Sequence, residues 1–87
     1  MGYEVLLRQP AQKELDAFNA VDYKRIVGVI SRLELDPRPL RVKKLFDSGL
    51  WRIRTGKFRI VYAINDENKK VIIVRITRRT EGTYKGL

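Results

Sequence analysis

The predicted fold is built around one segment, Leu50-Trp51-Arg52-Ile53-Arg54-Thr55-Gly56-Lys57-Phe58-Arg59-Ile60-Val61-Tyr62. Apolar and basic residues alternate on both sides of Gly56, which predicts two β-strands that each have two different faces. A two-residue turn at Gly56-Lys57, with glycine first, suits a type II′ hairpin. This turn places Arg54 directly opposite Arg59. A slip of one residue would move one strand's arginines onto the apolar face, so the pattern predicts a single register.

The predicted hairpin has one apolar face and one basic face. The apolar face collects Trp51, Ile53, Phe58, Ile60 and Tyr62. The basic face, called the arginine face below, carries Arg52, Arg54 and Arg59, with Val61 beside them. Like charges directly opposed across a sheet are unfavourable, and an external polyanion would relieve the pair of Arg54 and Arg59. A solvated outer face with arginine stems lying along the strands is the alternative, and the hairpin alone leaves both open.

Composition limits the class of protein and its partners. The 87 residues are enough for one small domain with a single core, so residues 1–87 are interpreted as one domain. The 19 Lys and Arg against 10 Asp and Glu give a net charge of +9, which favours nucleic acid or an acidic protein as a partner. No apolar run approaches the roughly 18 residues that span a bilayer, and no signal peptide is recognisable. We therefore expect a cytoplasmic protein without a membrane partner.

The residue types that are missing restrict the chemistry. The chain has no Cys and no His, which excludes disulfides, thiol nucleophiles, histidine acid–base pairs and the usual zinc sites. The carboxylates are scattered along the chain, so no Mg²⁺ site is predicted, and no phosphate-binding glycine motif is present. The sequence thus predicts no metal and no cofactor. An active site would have to be built from Arg, Lys and Tyr, with at most one carboxylate.

Two helices are predicted before the hairpin. Residues 3–7 read as a strand, and Pro10 suits the first turn of a helix whose buried stripe is Ala11, Leu15 and Phe18. A second helix, with Asn19 or Asp22 as its N-cap, extends to about residue 35. Its predicted core stripe consists of Tyr23, Ile26, Ile30 and Leu33, with Val27 alongside.

The remaining elements complete a sheet. Residues 37–49 form a basic connector with a possible short edge strand. The stretch from Val71 to Ile76 is almost continuously apolar, which is typical of a central strand. The order is therefore strand, helix, helix, then three or four antiparallel strands. This order predicts an α+β fold, in which two N-terminal helices pack on one face of an antiparallel β-sheet.

The chain resembles the RelE/ParE superfamily of toxins from bacterial and archaeal toxin–antitoxin pairs. The spacing of Gly56, Arg59 and Tyr62 is the most specific part of a resemblance that covers nearly the full length. The matching segments are Tyr3 to Leu7, Leu35-Asp36-Pro37, Lys44-Leu45, Trp51-Arg52-Ile53-Arg54, the stretch from Gly56 to Tyr62, and Arg78 through Tyr84. The resemblance implies the RelE-like microbial RNase fold, with two helices on one side of an antiparallel sheet.

The resemblance also implies an activity and a set of site residues. RelE-like members cleave mRNA in the ribosomal A site, whereas ParE-like members poison DNA gyrase and lack the basic catalytic set. The catalytic positions of RelE-like toxins correspond here to Arg52, Arg54, Arg59, Arg78 and Tyr84. Because all five are filled, the RelE-like branch is favoured. Two departures are that arginines replace the lysines more usual on the first hairpin strand, and that Thr77 stands where a histidine is often found.

The implied reaction is metal-independent cleavage, in which the mRNA 2′-hydroxyl attacks the adjacent phosphate. Arg54, Arg59 and Arg78 would clamp the phosphate, since guanidinium groups are planar and always charged. Tyr84 would stack on a base or orient the 2′-hydroxyl. Charge alone would hold RNA at Lys43, Lys44, Lys57 and Arg79. Arginine is a poor general base, and Glu81 is the only carboxylate near the tail residues.

Three partners follow from this reading: a cognate acidic antitoxin protein, the ribosome, and mRNA in its A site. The alternatives are a ParE-like inhibitor of DNA gyrase and a non-catalytic RNA-binding member of the family. The joint presence of the four arginines and Tyr84 is the feature that distinguishes the nuclease from both alternatives.

Overall fold

Two helices and five strands make up the described part of the chain, which in this computed structural model covers residues 2–39, 42–45 and 49–78. Along the chain they are β1 (Glu4–Leu7), α1 (Gln9–Asp16), α2 (Ala20–Leu35), β2 (Lys43–Lys44), β3 (Trp51–Thr55), β4 (Phe58–Asn65) and β5 (Lys70–Arg78). The strands form one sheet in the order β1-β5-β4-β3-β2. The predicted α+β class, with two helices before the main sheet, is confirmed.

The hairpin of β3 and β4 has the predicted register. Arg54 lies opposite Arg59, and Trp51 lies opposite Tyr62. Gly56 has a φ of 55°, whereas Lys57 is not among the residues with positive φ. A positive φ at the first turn position alone is the signature of a type II′ turn, which glycine adopts without strain.

The sheet is mixed and not fully antiparallel as predicted, because β1 runs parallel to β5, while the pairs β2–β3, β3–β4 and β4–β5 are antiparallel. Val5 lies opposite Val71 in the parallel pair. A parallel pair needs a long crossover connection, and α1 and α2 begin that connection here. The sequence pattern identified β1 as a strand but did not identify its neighbour.

A bulge in β5 explains how its apolar run is distributed over the two faces. Val61 pairs with Arg75 and Tyr62 pairs with Ile73, so Val74 is an extra residue in β5. The extra residue resets the alternation of side chains. Ile73 and Ile76 are both buried, although their odd spacing would otherwise place them on opposite faces.

The core lies between the two helices and the face of the sheet that carries Ile73 and Ile76. Its buried members are Ala11, Leu15, Ile26, Ile30, Leu33, Phe58, Ile60, Tyr62, Val71, Ile73 and Ile76. Phe18 follows α1 and packs on this core, with its ring centroid 4.7 Å from that of Phe58.

The predicted core stripe of α2 is wrong at two positions. Tyr23 is 41% exposed and Val27 is 36% exposed, whereas Val29 packs against the core. At 3.6 residues per turn, Tyr23 and Val27 lie about 60° and 100° around the helix from Ile26, on the side away from Val29. The sheet contacts only one flank of the apolar stripe, and the other flank faces solvent.

Hydrogen bonds hold both ends of α2 in place. The side chain of Asn19 accepts a hydrogen bond from the backbone N–H of Asp22 at 2.8 Å, which identifies Asn19 as the N-cap. Just beyond the C-terminus, the buried hydroxyl of Tyr62 donates to the carbonyl oxygen of Pro37 at 2.7 Å. Burial raises the pKa of Tyr62 well above its ordinary value, so the phenol stays protonated and keeps this bond at neutral pH.

Glu14 of α1 covers the edge of β5 beyond the last residue of β1. One carboxylate oxygen accepts from the backbone N–H of Ile76 at 2.8 Å, and the other accepts from the Arg75 guanidinium at 2.7 and 3.0 Å. Desolvation opposes ionisation of Glu14, but the bonds from Arg75 and Ile76 outweigh it and lower the pKa of this carboxyl. The side chain thus replaces a neighbouring strand at an edge that would otherwise be open.

Candidate functional site

The arginine face lies on the side of the sheet opposite the helices. Arg52 is opposite Val61, and Arg54 is opposite Arg59, so the three arginines share one face. Phe58 and Ile60 flank Arg59 in β4 and are buried on the helix side. Arg54 is exposed, whereas Arg52 and Arg59 are half-buried, and the Nε atom of Arg59 is shielded from solvent. The structure therefore brings the three predicted hairpin arginines together.

The predicted RNA-binding lysines fall in different places. Lys43 is exposed and lies opposite Arg52, so it extends the arginine face at the edge of the sheet. Lys44 lies opposite Trp51 and holds its Nζ atom 5.7 Å from the centroid of that ring. Lys57 occupies the hairpin turn and is exposed. The predicted RNA-binding residue Arg79 lies outside the described residues.

Arg78 stands on the other side of the sheet from the hairpin arginines. It pairs with Phe58, and residues directly opposed across a sheet share a face, so Arg78 lies on the helix side. There it lines a groove of about 430 Å³ between the hairpin turn and the start of α2. Its neighbour Thr77 lies opposite Arg59 on the arginine face. Tyr84 and Glu81 lie outside the described residues, so the placement of this tyrosine and this carboxylate stays a prediction.

A second charged cluster, which sequence reasoning missed, joins the segment after α2 to the turn between β4 and β5. The guanidinium of Arg38 donates to both carboxylate oxygens of Asp66, at 2.8 and 3.2 Å, and the hydroxyl of Tyr3 donates to the same carboxylate at 2.7 Å. Arg38 also lies over the ring of Trp51, 5.1 Å from its centroid. The bonds from Arg38 and Tyr3 lower the pKa of Asp66 to about 2. Arg38 therefore links the segment after α2 to the turn between β4 and β5, and nothing in its local sequence distinguishes it from the other connector cations.

The Asp66 cluster predicts a loss of stability in acid. Because the pKa of Asp66 is about 2 in the folded chain and about 3.9 in an unfolded one, its contribution is complete above pH 4. The contribution should be lost as the pH falls from about 4 to about 2. Thermal unfolding of the parent and Asp66→Asn checks this: their difference in melting temperature should shrink over that range. A difference that stays constant from pH 6 to pH 2 would contradict the assignment.

The described ranges contain neither a cluster of metal-ligating side chains nor a membrane-spanning helix. Among those residues, no three His, Cys, Asp or Glu side chains lie close enough to hold a metal ion. Neither described helix is long and apolar enough to cross a bilayer.

Comparison with known proteins identifies the family. Residues 5–82 match the family described as the ParE toxin of the type II toxin–antitoxin system parDE. A protein of Methanocaldococcus jannaschii with the name RelE1 is 32% identical over 89 residues, with 98% of each chain covered.

Solved structures agree with this match. The archaeal RelE–RelB complex from Pyrococcus horikoshii has a TM-score of 0.82 at 29% identity, covering 93% of this chain and 99% of the other. The isolated RelE toxin of Escherichia coli has a TM-score of 0.82 at 16% identity over 97% of this chain and 92% of the other, and shares the fold. The chain therefore belongs to the RelE/ParE superfamily of type II toxin–antitoxin toxins.

Proposed function

We propose that this toxin is an endoribonuclease that cleaves mRNA in the A site of the ribosome. The observation that carries the proposal is the arginine face, where Arg54 and Arg59 lie directly opposite each other and Arg52 lies two residues along the same strand. A polyanion bound on this face would offset the repulsion between the opposed charges. Lys43 continues the positive surface towards the edge of the sheet, where a strand of RNA can follow it.

The proposed reaction uses the groups of the chain, the substrate and solvent water. The 2′-hydroxyl oxygen attacks the adjacent phosphorus as the bond from phosphorus to the 5′-oxygen breaks. Water takes up the proton of the attacking hydroxyl and supplies one to the leaving oxygen, so the products are a 2′,3′-cyclic phosphate and a 5′-hydroxyl. Guanidinium groups held in place before the reaction stabilise the negative charge that develops on the phosphate. Positioning and charge stabilisation supply the catalysis, since arginine does not release its proton at neutral pH.

Arg78 and Tyr84 are the remaining predicted catalytic residues, but Arg78 does not lie on the arginine face with Arg54 and Arg59. The backbone of Arg78 adjoins Thr77, which faces Arg59, although its side chain lies along the groove on the helix side. Tyr84 follows six residues later in the chain, where it would stack on a nucleobase or orient the 2′-hydroxyl.

We propose a cognate acidic antitoxin as the protein partner. The structures from Pyrococcus horikoshii and Mycobacterium tuberculosis are complexes of a toxin with an antitoxin, and the second has a TM-score of 0.81 at 26% identity. This chain's net charge of +9 suits an acidic protein that covers the arginine face. Binding to the folded toxin would also raise its melting temperature.

A gyrase inhibitor is the second candidate, because the matching family description names a ParE toxin. Such a toxin needs a docking surface for gyrase and has no use for a phosphate site. A non-catalytic RNA-binding domain is the third reading.

Induced expression without the neighbouring antitoxin gene separates the three candidates. We expect rapid arrest of translation, with mRNA cut in frame inside translated regions. Co-expression of the acidic neighbour should restore growth, and the two proteins should purify together at low salt. DNA damage with intact mRNA would favour gyrase, and healthy growth would favour the binding domain.

A further inference from the structure

A second group of cations lies on the helix side of the hairpin turn. They line the groove of about 430 Å³ that Arg78 shares with the start of α2. The lining residues that matter here are Asp22, Arg25, Gly56, Lys57, Phe58 and Arg78. The groove thus brings together three cations from α2, the turn and the end of β5, with one carboxylate beside them.

Arg25 lies directly over the turn. A Cβ atom added to Gly56 would come within 3.1 Å of the Nη1 atom of Arg25. The absence of a side chain at Gly56 therefore leaves room for this guanidinium beside the turn. The buried residues of α2 pack the helix on the core, which fixes the backbone of Arg25 beside the groove.

The groove cations differ from the cations that form ion pairs with carboxylates of the chain. Arg38, Lys70 and Arg75 each lie within 4.0 Å of a carboxylate, in pairs with Asp66, Glu4 and Glu14. Within residues 2–39, 42–45 and 49–78, no carboxylate lies that close to Arg25, Lys57 or Arg78. Among the described residues that line the groove, Asp22 alone offsets their positive charge, and an anion in the groove would offset it further.

The start of α2 adds to the positive potential of the groove. This helix is 16 residues long, and its N-terminus carries the positive end of the helix dipole. Val21 and Asp22 of its first turn line the groove. Helix N-termini attract phosphate groups for this reason, and here the effect adds to three side-chain charges.

We propose that the groove binds a phosphodiester of the same RNA strand that lies on the arginine face, next to the phosphate that is cut. This inference rests on the proposed RNA-binding function. Lys57, Phe58 and Arg59 are consecutive, with Phe58 lining the groove and Arg59 on the arginine face, so only the hairpin turn separates the two surfaces. A strand that passes around the turn meets cations on both sides of it, with Arg78 at the end of the sheet.

Binding of a non-cleavable RNA tests the groove separately from catalysis. The probe is a short single-stranded RNA with 2′-O-methyl groups throughout, and its dissociation constant is measured by fluorescence anisotropy across a range of salt concentrations. For Arg25→Gln, we expect weaker binding and a weaker dependence on salt. The slope of the logarithm of the association constant against the logarithm of the salt concentration should decrease in magnitude by about 0.7, the value of one phosphate contact on a single strand. Asp22→Asn should bind more tightly than the parent, because it removes the only acid that lines the groove in the described residues.

The matched control is Lys24→Gln. Lys24 is the neighbour of Arg25 in α2, is exposed and carries the same charge, but does not line the groove. Its slope should equal that of the parent. Melting temperatures of all variants show that they are folded.

Three outcomes would overturn the inference, and they have different meanings. Equal effects of Arg25→Gln and Lys24→Gln would show that the groove makes no RNA contact, while leaving the proposed nuclease untouched. A parent that does not bind the free RNA at all would also overturn the inference, whereas the proposed function is tested separately, by cleavage on the ribosome. The third outcome concerns inorganic phosphate, whose binding is measured as the rise in melting temperature that it causes. If Arg25→Gln reduces this rise but leaves RNA binding unchanged, the groove binds a free anion and the RNA assignment is wrong.

Discussion

Replacing Arg54 or Arg59 by Ala is expected to slow cleavage of ribosome-bound mRNA by about 10²- to 10³-fold, the loss typical of one preorganised donor to a developing negative charge. The two arginines lie directly opposite each other on the arginine face, where both would contact the same phosphate. The effect should be measured under single-turnover conditions with saturating toxin, so that weaker ribosome binding does not hide it. Lys24→Ala, which removes an exposed charge on the helix side, should cleave at the parent rate.

The stability of Arg54→Ala distinguishes a functional residue from a structural one. Its free energy of unfolding should equal or slightly exceed that of the parent, because the substitution removes one member of a like-charge pair. Arg54→Lys keeps the charge and loses the planar fork. Activity at or above the parent in this variant would show that charge or proton transfer, and not paired hydrogen bonding, is what position 54 supplies.

The second large effect is structural and comes from the next residue along β4. Ile60 is completely buried on the helix side, and Ile60→Ala should lower the free energy of unfolding by about 2–5 kcal/mol through lost burial and the cavity left behind. Urea denaturation followed by circular dichroism measures the loss. At low temperature, where the variant is folded, its rate of cleavage should match that of the parent. Should Ile60→Ala fail to fold, Ile60→Val, with an expected loss of about 0.5–1.5 kcal/mol, serves the same purpose.

Arg59 and Ile60 together make the test specific. They are adjacent in sequence and face opposite sides of the sheet, so one substitution should remove activity and the other stability. A folded Ile60→Ala protein that cleaves as slowly as Arg59→Ala would show that cleavage depends on the hairpin as a whole and not on the arginine face.

The hairpin could be predicted residue by residue because its information is local. Alternation on both sides of Gly56 determines the faces, and the turn determines the register, which the structure reproduces at Arg54 and Arg59. The parallel pairing of β1 with β5 could not be predicted in this way. Val5 and Val71 are far apart in sequence, and neither strand carries a pattern that selects the other.

The uniform apolar run of β5 explains why the sequence predicts Arg78 at the same phosphate as Arg54 and Arg59, although its side chain lies on the other side of the sheet. Alternation shows which residues share a face, and the stretch from Val71 to Val74 has none. The sequence therefore does not predict the bulge at Val74. It also does not predict that Arg78 lies opposite Phe58 on the helix side. The sequence did identify Arg78 as a site residue through the family resemblance, but not the groove in which its side chain lies.

The remaining errors concern residues of α2 whose burial and contacts depend on how the helix packs against the sheet. The apolar residues of α2 cover more of the helix than the sheet can bury, so Tyr23 and Val27 were assigned to the core although they are exposed. The sequence does not identify Arg25 as a site residue, because an arginine on an exposed side of a helix has no local feature that distinguishes it from other solvated charges. Its proximity to Gly56 arises only when α2 packs beside the hairpin turn.

The proposed cleavage of mRNA on the ribosome is best tested by analysis of the RNA ends that the toxin produces in vitro. Purified toxin is mixed with ribosomes that carry a defined mRNA, and with the same mRNA alone, and the products are identified by mass spectrometry. We expect one cut in the A-site codon, with a 2′,3′-cyclic phosphate on one fragment and a 5′-hydroxyl on the other, only when ribosomes are present. The fragments should be reduced by about 10²- to 10³-fold with Arg54→Ala or Arg59→Ala. Intact mRNA with the parent toxin, or equal cleavage by these two folded variants, would contradict it.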